Sequence, residues 1–130
     1  MDTKLTKINN YFTKKKDKAN KEIETLNAEE KGATIGYQLY LLRNNYERKV
    51  RTMLLYTQYE RILVIVNERT GDEAIVYLKN LVQTYEYSLL ELSPMQRSSC
   101  PITNITSLWE QESKQIVLKE IKKLLNELGE

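Results

Sequence analysis

The chain has 130 residues, with 20 Lys and Arg against 18 Asp and Glu, one cysteine and no histidine. A net charge of +2 is too small to imply a nucleic-acid partner by itself. The lack of histidine excludes an imidazole general base, a Ser-His or Cys-His nucleophile pair and a histidine metal site.

The composition predicts an all-α protein. The four glycines and two prolines are too few for a chain of many short strands and turns, and no segments alternate as a parallel sheet requires. We expect one helical domain over residues 1–130, an antiparallel bundle of about four helices with one long central helix. No apolar run has the length of a membrane span and no secretory signal is visible, so a cytoplasmic protein is expected.

Residues 1–31 form a basic first segment, with an amphipathic helix from residue 3 to about 27 and a short turn behind it. Asp2 or Thr3 can cap the helix, and its apolar side consists of Leu5, Ile8, Phe12, Ala19, Ile23 and Leu26. Seven lysines and two aspartates give the first 21 residues a net charge of +5. The cluster Lys14, Lys15, Lys16 and Lys18 is either a solvated helix face or a basic arm for a phosphate backbone or an acidic protein surface.

The long helix is predicted over residues 33–69. One apolar stripe recurs at intervals of 3 and 4 and comprises Ile35, Leu39, Leu42, Tyr46, Val50 and Met53, with Thr57 behind it. A second stripe of Leu55, Tyr59, Ile62 and Val66 overlaps its end. Such a helix needs cover on several sides, and three shorter neighbours would leave apolar surface of the kind that meets a partner.

Two further features of the long helix are ambiguous in function. The basic side chains Arg43, Arg48, Lys49 and Arg51 suit either a solvated face or contact with nucleic acid. The tyrosine pairs Tyr37/Tyr40 and Tyr56/Tyr59 have helical i, i+3 spacing, which favours packing in a core or at a protein interface.

Residues 62–78 allow two interpretations. Two β-branched runs around a polar link would suit a hairpin, but the second run continues with heptad spacing to residue 92, so we predict a third helix over 72–92. Ser93-Pro94 should end it, and residues 93–105 form a loop with Cys100. The last helix is predicted over 106–128, with a capping box of Ser107 and Glu110 and a stripe of Trp109, Val117, Ile121, Leu124 and Leu128.

Enzymatic chemistry is not expected. Neighbouring carboxylates diverge around their helices, and the glycines are too scattered to cradle a phosphate. We expect no cofactor, no metal, no small-molecule substrate and no membrane contact. The favoured hypothesis is a non-enzymatic helical interaction protein, an adaptor, inhibitor or assembly subunit that binds a protein partner or forms a homodimer. The alternative is a nucleic-acid-binding accessory protein or transcriptional regulator that uses the lysine-rich first helix and residues 43–51.

Overall fold

The computed structural model describes residues 2–91 and 100–130, and all regular structure in these two ranges is helical. The helices are α1 (Thr3–Lys31), α2 (Ile35–Val66), α3 (Gly71–Glu91) and α4 (Pro101–Glu127). The all-α prediction is therefore confirmed. The hairpin alternative is wrong, because residues 67–70 join two helices.

The first two helices pack along each other in opposite directions. Phe12 lies against Tyr59, and Lys16 lies over Tyr56, so residue numbers rise in α1 as they fall in α2. The salt bridge between Glu22 and Arg48 continues the same order. This antiparallel pair makes the most extensive helix contact in the described chain.

The other two helices form a second antiparallel pair that lies against the first. Lys79 in the first half of α3 pairs with Glu130 just beyond the end of α4, and Glu86 farther along α3 pairs with Lys122 earlier in α4. Between the pairs, α4 runs parallel to α2, since Tyr46 contacts Trp109 and Tyr59 contacts Glu120. The described helices therefore run up, down, up and down, as in an antiparallel bundle.

The core lies where all four helices overlap. Its fully buried large side chains come from every helix: Phe12, Ile8, Leu26, Ile62, Leu78, Ile121, Val66 and Val117. The apolar sides predicted for α1 and α4 face inward, with Ala19, Trp109 and Leu124 also buried. Of the two stripes on α2, the second enters the core through Tyr59, Ile62 and Val66, whereas the first lies at the surface.

The helix ends correct two predictions. α1 continues to Lys31, so the separate turn expected after Asn27 does not form, and Gly32 ends the helix by donating to the Ala28 carbonyl. α4 begins at Pro101, so Ser107 lies inside the helix and caps nothing. Proline suits the first helical turn because its ring fixes φ near the helical value. Backbone N–H groups in that turn have no acceptor within the helix, so the N–H that proline lacks is not needed there. The predicted stop at Ser93-Pro94 and residues 93–99 of the predicted loop lie outside the described residues.

Candidate interaction surface on the second helix

The first half of α2 presents apolar side chains to solvent. Ile35 is 87% exposed, and Leu39, Leu42, Tyr46 and Met53 are each about half exposed. Together with the partly buried Val50 they lie on one side of the helix, because their spacing keeps them within about one quadrant of its circumference. We call these six residues the outer stripe. It is continuous over about five helical turns.

The side of the same half-helix that faces α1 is largely polar. Thr52 is 7% exposed and Gln38 and Asn45 are partly buried. The side-chain amide nitrogen of Asn45 is buried without a hydrogen-bond partner in the described part of the chain. Leu41 is the exception, an apolar side chain on the inward side. This side lies beside the outer stripe, roughly 100° around the helix from its centre, so over residues 35–53 polar side chains are buried next to apolar ones that are exposed.

The outer stripe lies on a side of α2 that α3 does not cover. Thr57, Glu60 and Val64 continue this side toward the end of α2, and all three are exposed although α3 runs beside that half of the helix. Tyr85 of α3 instead donates to Gln58, about a third of the circumference away from the stripe. The described part of α3 also ends near the level of residue 52 in α2, so the first half of α2 extends beyond it.

The start of α4 extends the exposed apolar surface sideways. The Tyr46 and Trp109 rings lie 5.8 Å apart, and Trp109 is buried beneath the contact. Ile105 and Leu108 precede Trp109 in α4 and are both about half exposed. Since α4 runs parallel to α2 from this contact, these two residues lie beside the part of the outer stripe that precedes Tyr46.

The four tyrosines predicted at an interface occupy three different environments. Tyr37 and Tyr40 are exposed and stack on each other with ring centroids 5.7 Å apart. Tyr56 is partly buried beneath the Lys16 ammonium. Tyr59 is 4% exposed, and its hydroxyl donates to Glu120 at 2.6 Å. Burial, followed by the Glu120 carboxylate, raises the pKa of Tyr59. Tyr59 belongs to the core and offers no surface to a partner.

Most of the basic side chains predicted for nucleic acid contact acidic or aromatic groups of the chain itself. Arg48 pairs with Glu22, Lys49 with Glu30, Arg51 with Glu47 and Glu112, and Lys15 with Glu120. Arg51 also lies over Trp109, and the Glu112 contact raises the pKa of its guanidinium. Lys14, Lys18 and Arg43 are exposed and make no ion pair with the described residues. The structure thus separates the eight basic residues instead of gathering them into one patch.

Apart from Arg51–Glu47 within α2, sequence reasoning missed these ion pairs because their acidic members come from other helices. Glu22 and Glu30 lie in α1 and Glu112 lies in α4, far from Arg48, Lys49 and Arg51 along the chain. The only signal was the change of charge sign within α1, from lysine-rich before residue 21 to glutamate-rich after it. This change of sign predicts the ion pairs only when α2 is known to fold back along α1.

The described residues show neither a metal site nor a membrane-spanning helix. Within residues 2–91 and 100–130, no group of three or more Cys, Asp and Glu side chains is arranged to hold a metal ion. No helix of these ranges combines the length and hydropathy that a bilayer crossing requires. Cys100 is exposed at the N-cap of α4. No known protein family, curated protein or solved structure matches the chain.

Proposed function

We propose that this chain is a non-enzymatic helical interaction protein, an adaptor, inhibitor or assembly subunit, that binds another protein through the outer stripe. One observation carries the proposal: residues 35–53 of α2 expose a continuous apolar stripe, while most of the side chains they bury beside it are polar. Contiguous apolar surface of this kind on a folded protein usually meets a partner.

The energetics favour covering this surface. Removing apolar surface from water contributes about 25 cal/mol per Å², or about 1.5–3 kcal/mol for complete burial of a Leu or Ile side chain. A half-exposed side chain can still lose the rest of its apolar surface to a partner, which contributes part of that free energy to binding. Five of the six stripe residues are at least about 40% exposed. The stripe residues lie on a helix that is already packed against α1. Binding a partner therefore costs less conformational entropy than it would if the helix had to form first.

A position-specific photo-crosslink in cells that produce the protein tests the proposal. A benzophenone amino acid at Leu42 should trap a protein, whereas the same residue at Val76 should trap none. Val76 is a matched control, an exposed apolar residue on α3 outside the outer stripe. Equal trapping at both positions, or none at Leu42, would count against binding through this face.

A second candidate function, contact with a nucleic-acid backbone, is favoured by one observation on α1. Lys7, Lys14, Lys18 and Lys21 recur at intervals of 7, 4 and 3, so they share a face. All four are exposed and none forms an ion pair with the described residues. Asn10 and Tyr11 line a groove beside the last three.

Gel-shift titration against random duplex at two salt concentrations tests this second candidate. Binding through phosphates should weaken as the salt concentration rises. Replacing Lys14 and Lys18 by Gln should reduce the slope of log binding constant against log salt concentration by roughly 0.9 per lost phosphate contact. Lys119→Gln with Lys123→Gln on α4 is the control of equal charge, since both lysines are exposed there. No binding, or equal slopes for the two double variants, contradicts it.

A further inference from the structure

We propose that a second copy of this chain covers the outer stripe, with the two α2 helices antiparallel about a two-fold axis near residue 44. This inference rests on the proposed function, because it names the protein that binds the face. Three features of the described residues favour a second copy over a different protein: the spacing of the stripe, the charges beside it and the room left by α3.

The spacing of the outer stripe is self-complementary. When two copies of α2 lie antiparallel about residue 44, Ile35 lies opposite Met53 of the second copy. Leu42 then falls opposite Tyr46 of that copy, and Leu39 lies within one residue of opposing its Val50. Every member of the stripe meets another member, and Thr57 falls outside the overlap. Apolar side chains that interdigitate at intervals of 3 and 4 are the packing units of paired helices.

The charges beside the stripe also match their own two-fold copy. The six stripe residues carry no charge, whereas Arg43 and Glu47 lie one turn apart on the same side of it. A two-fold axis perpendicular to both helices keeps this side of one α2 against the same side of the other. Each Arg43 then lies about 3 Å along the helix axis from direct opposition to Glu47 of the second copy, within reach of a long side chain. The Arg43 side chain is free of ion pairs in the described chain, and the Glu47 side chain is 57% exposed and pairs with Arg51 of its own helix.

The shape of the described molecule provides room for this arrangement. The outer stripe extends over about 27 Å, and α3 packs on another side of α2, since Thr57 and Val64 on the stripe's side are exposed beside it. A stable interface needs about 800 Å² from each partner, more than a single helix stripe supplies. Ile105 and Leu108 of α4 lie beside the stripe and add apolar area on both copies. Each pair of α2 and α4 would thus pack against its two-fold equivalent.

Sedimentation equilibrium of the purified protein over a concentration series tests the inference directly. We expect a monomer–dimer equilibrium, and we expect Leu42→Lys to weaken it at least about 100-fold because a lysine would be buried in the interface. Val76→Lys should leave the dissociation constant unchanged, since Val76 is 56% exposed on α3. Circular dichroism of each variant establishes that it is folded.

Charge reversal at exposed positions provides a second test that does not depend on introducing a charge into the stripe. Arg43→Glu or Glu47→Arg alone should raise the dissociation constant by roughly tenfold, because each change creates two like-charged pairs across the axis. The double reversal should restore it to within about threefold. Arg61→Glu, an exposed change on α2 beyond the overlap, should have no effect.

The outcomes separate this inference from the proposed function. A purified protein that stays monomeric, together with a Leu42 crosslink to a different protein, overturns the second copy and leaves the proposed function standing. A monomer with no Leu42 crosslink overturns both. A dimer whose dissociation constant is unchanged by Leu42→Lys overturns the antiparallel α2 arrangement. So does a dimer that the double charge reversal weakens as much as each single reversal.

Discussion

A single carboxylate at the N-terminus holds two helices in place. Asp2 accepts hydrogen bonds from the backbone N–H groups of Lys4 and Leu5, which caps α1, and from the N–H of Gly71 at the start of α3. A side chain at position 71 would collide with this carboxylate, so glycine leaves the space that it needs. The Gly71 N–H, followed by that of Leu5, lowers the pKa of Asp2.

Asp2→Ala should therefore lower the urea midpoint of unfolding at neutral pH, because α1 loses its cap and the Gly71 N–H loses its acceptor. A carboxylate whose pKa is lower in the folded state stabilises that state above its unfolded pKa of about 3.9. The stabilisation is lost as the pH falls through the folded pKa. The difference in midpoint between the wild type and Asp2→Ala should accordingly stay nearly constant from pH 6 to about pH 4 and shrink as the pH falls further. Asp17→Ala, an exposed change within α1 away from its N-cap, should leave the midpoint at neutral pH nearly unchanged.

A buried polar cluster links three helices. The Gln58 amide donates to the Ser113 hydroxyl at 2.6 Å, Tyr85 donates to the Gln58 carbonyl oxygen at 3.2 Å, and Ser113 donates to the Glu110 backbone carbonyl at 2.7 Å. Gln58, Tyr85 and Ser113 are all nearly inaccessible to solvent. Each hydrogen bond satisfies a group that would otherwise be costly to bury.

Ser113→Ala should lower the free energy of unfolding by about 1–3 kcal/mol, because it leaves the Gln58 amide buried without an acceptor. Chemical denaturation measures the change. A loss below about 0.5 kcal/mol would mean that another acceptor reaches the Gln58 amide.

At the scale of the helix, the sequence and the structure give different starting residues for α4. A helix that began at Ser107 would depend on its hydroxyl as a cap, whereas a helix that begins at Pro101 places Ser107 in its second turn. The two alternatives predict opposite effects for one substitution.

Ser107→Ala should leave the free energy of unfolding unchanged or raise it by up to about 0.5 kcal/mol, since alanine favours a helix interior. Loss of a capping serine would instead cost about 1 kcal/mol. Chemical denaturation gives the sign of the change in unfolding free energy for Ser107→Ala, with Ser113→Ala on the same helix measured for comparison. A loss of about 1 kcal/mol would contradict a helix start at Pro101.

At the scale of the whole described molecule, the two ends of the bundle differ. At one end, Lys4 pairs with Asp72 and Glu130, and Glu130 also pairs with Lys79, so α1, α3 and the C-terminus are joined. These contacts raise the pKa of Lys4, chiefly through Glu130, and lower the pKa of Glu130, chiefly through Lys4. At the other end, α1 and α2 project beyond α3 with the outer stripe exposed. Tertiary stabilisation is thus concentrated at the first end.

Hydrogen exchange should reveal this gradient. At low protein concentration we expect backbone amides of residues 36–46 to exchange at least about tenfold faster than those of residues 59–66, because local opening is cheaper where few buried contacts hold a helix. At high concentration a second copy on the outer stripe should slow exchange in residues 36–46 alone. Uniform protection along α2 at low concentration would contradict the gradient.

Much of the helical architecture could be predicted from the sequence. Spacing at 3 and 4 residues located α1, α2 and α3 to within a few residues, and Asp2 was one of the two residues predicted to cap α1. The start of α4 was missed because Ser107 and Glu110 match a capping pattern that residues inside a helix can also match. Pro101 was the better signal, since proline is favoured in a first helical turn.

The sequence by itself determined that the chain is helical, that α2 carries two apolar stripes and that histidine chemistry is excluded. Only the tertiary structure decided which stripe enters the core, because periodicity defines the faces of a helix without naming its neighbours. Leu55, Tyr59 and Ile62 join the core that α1, α3 and α4 complete, whereas Leu39 and Leu42 lie on a side of α2 that the described helices leave exposed. The positions of the other helices around α2, and not the hydrophobicity of α2, set the boundary between core and exposed surface.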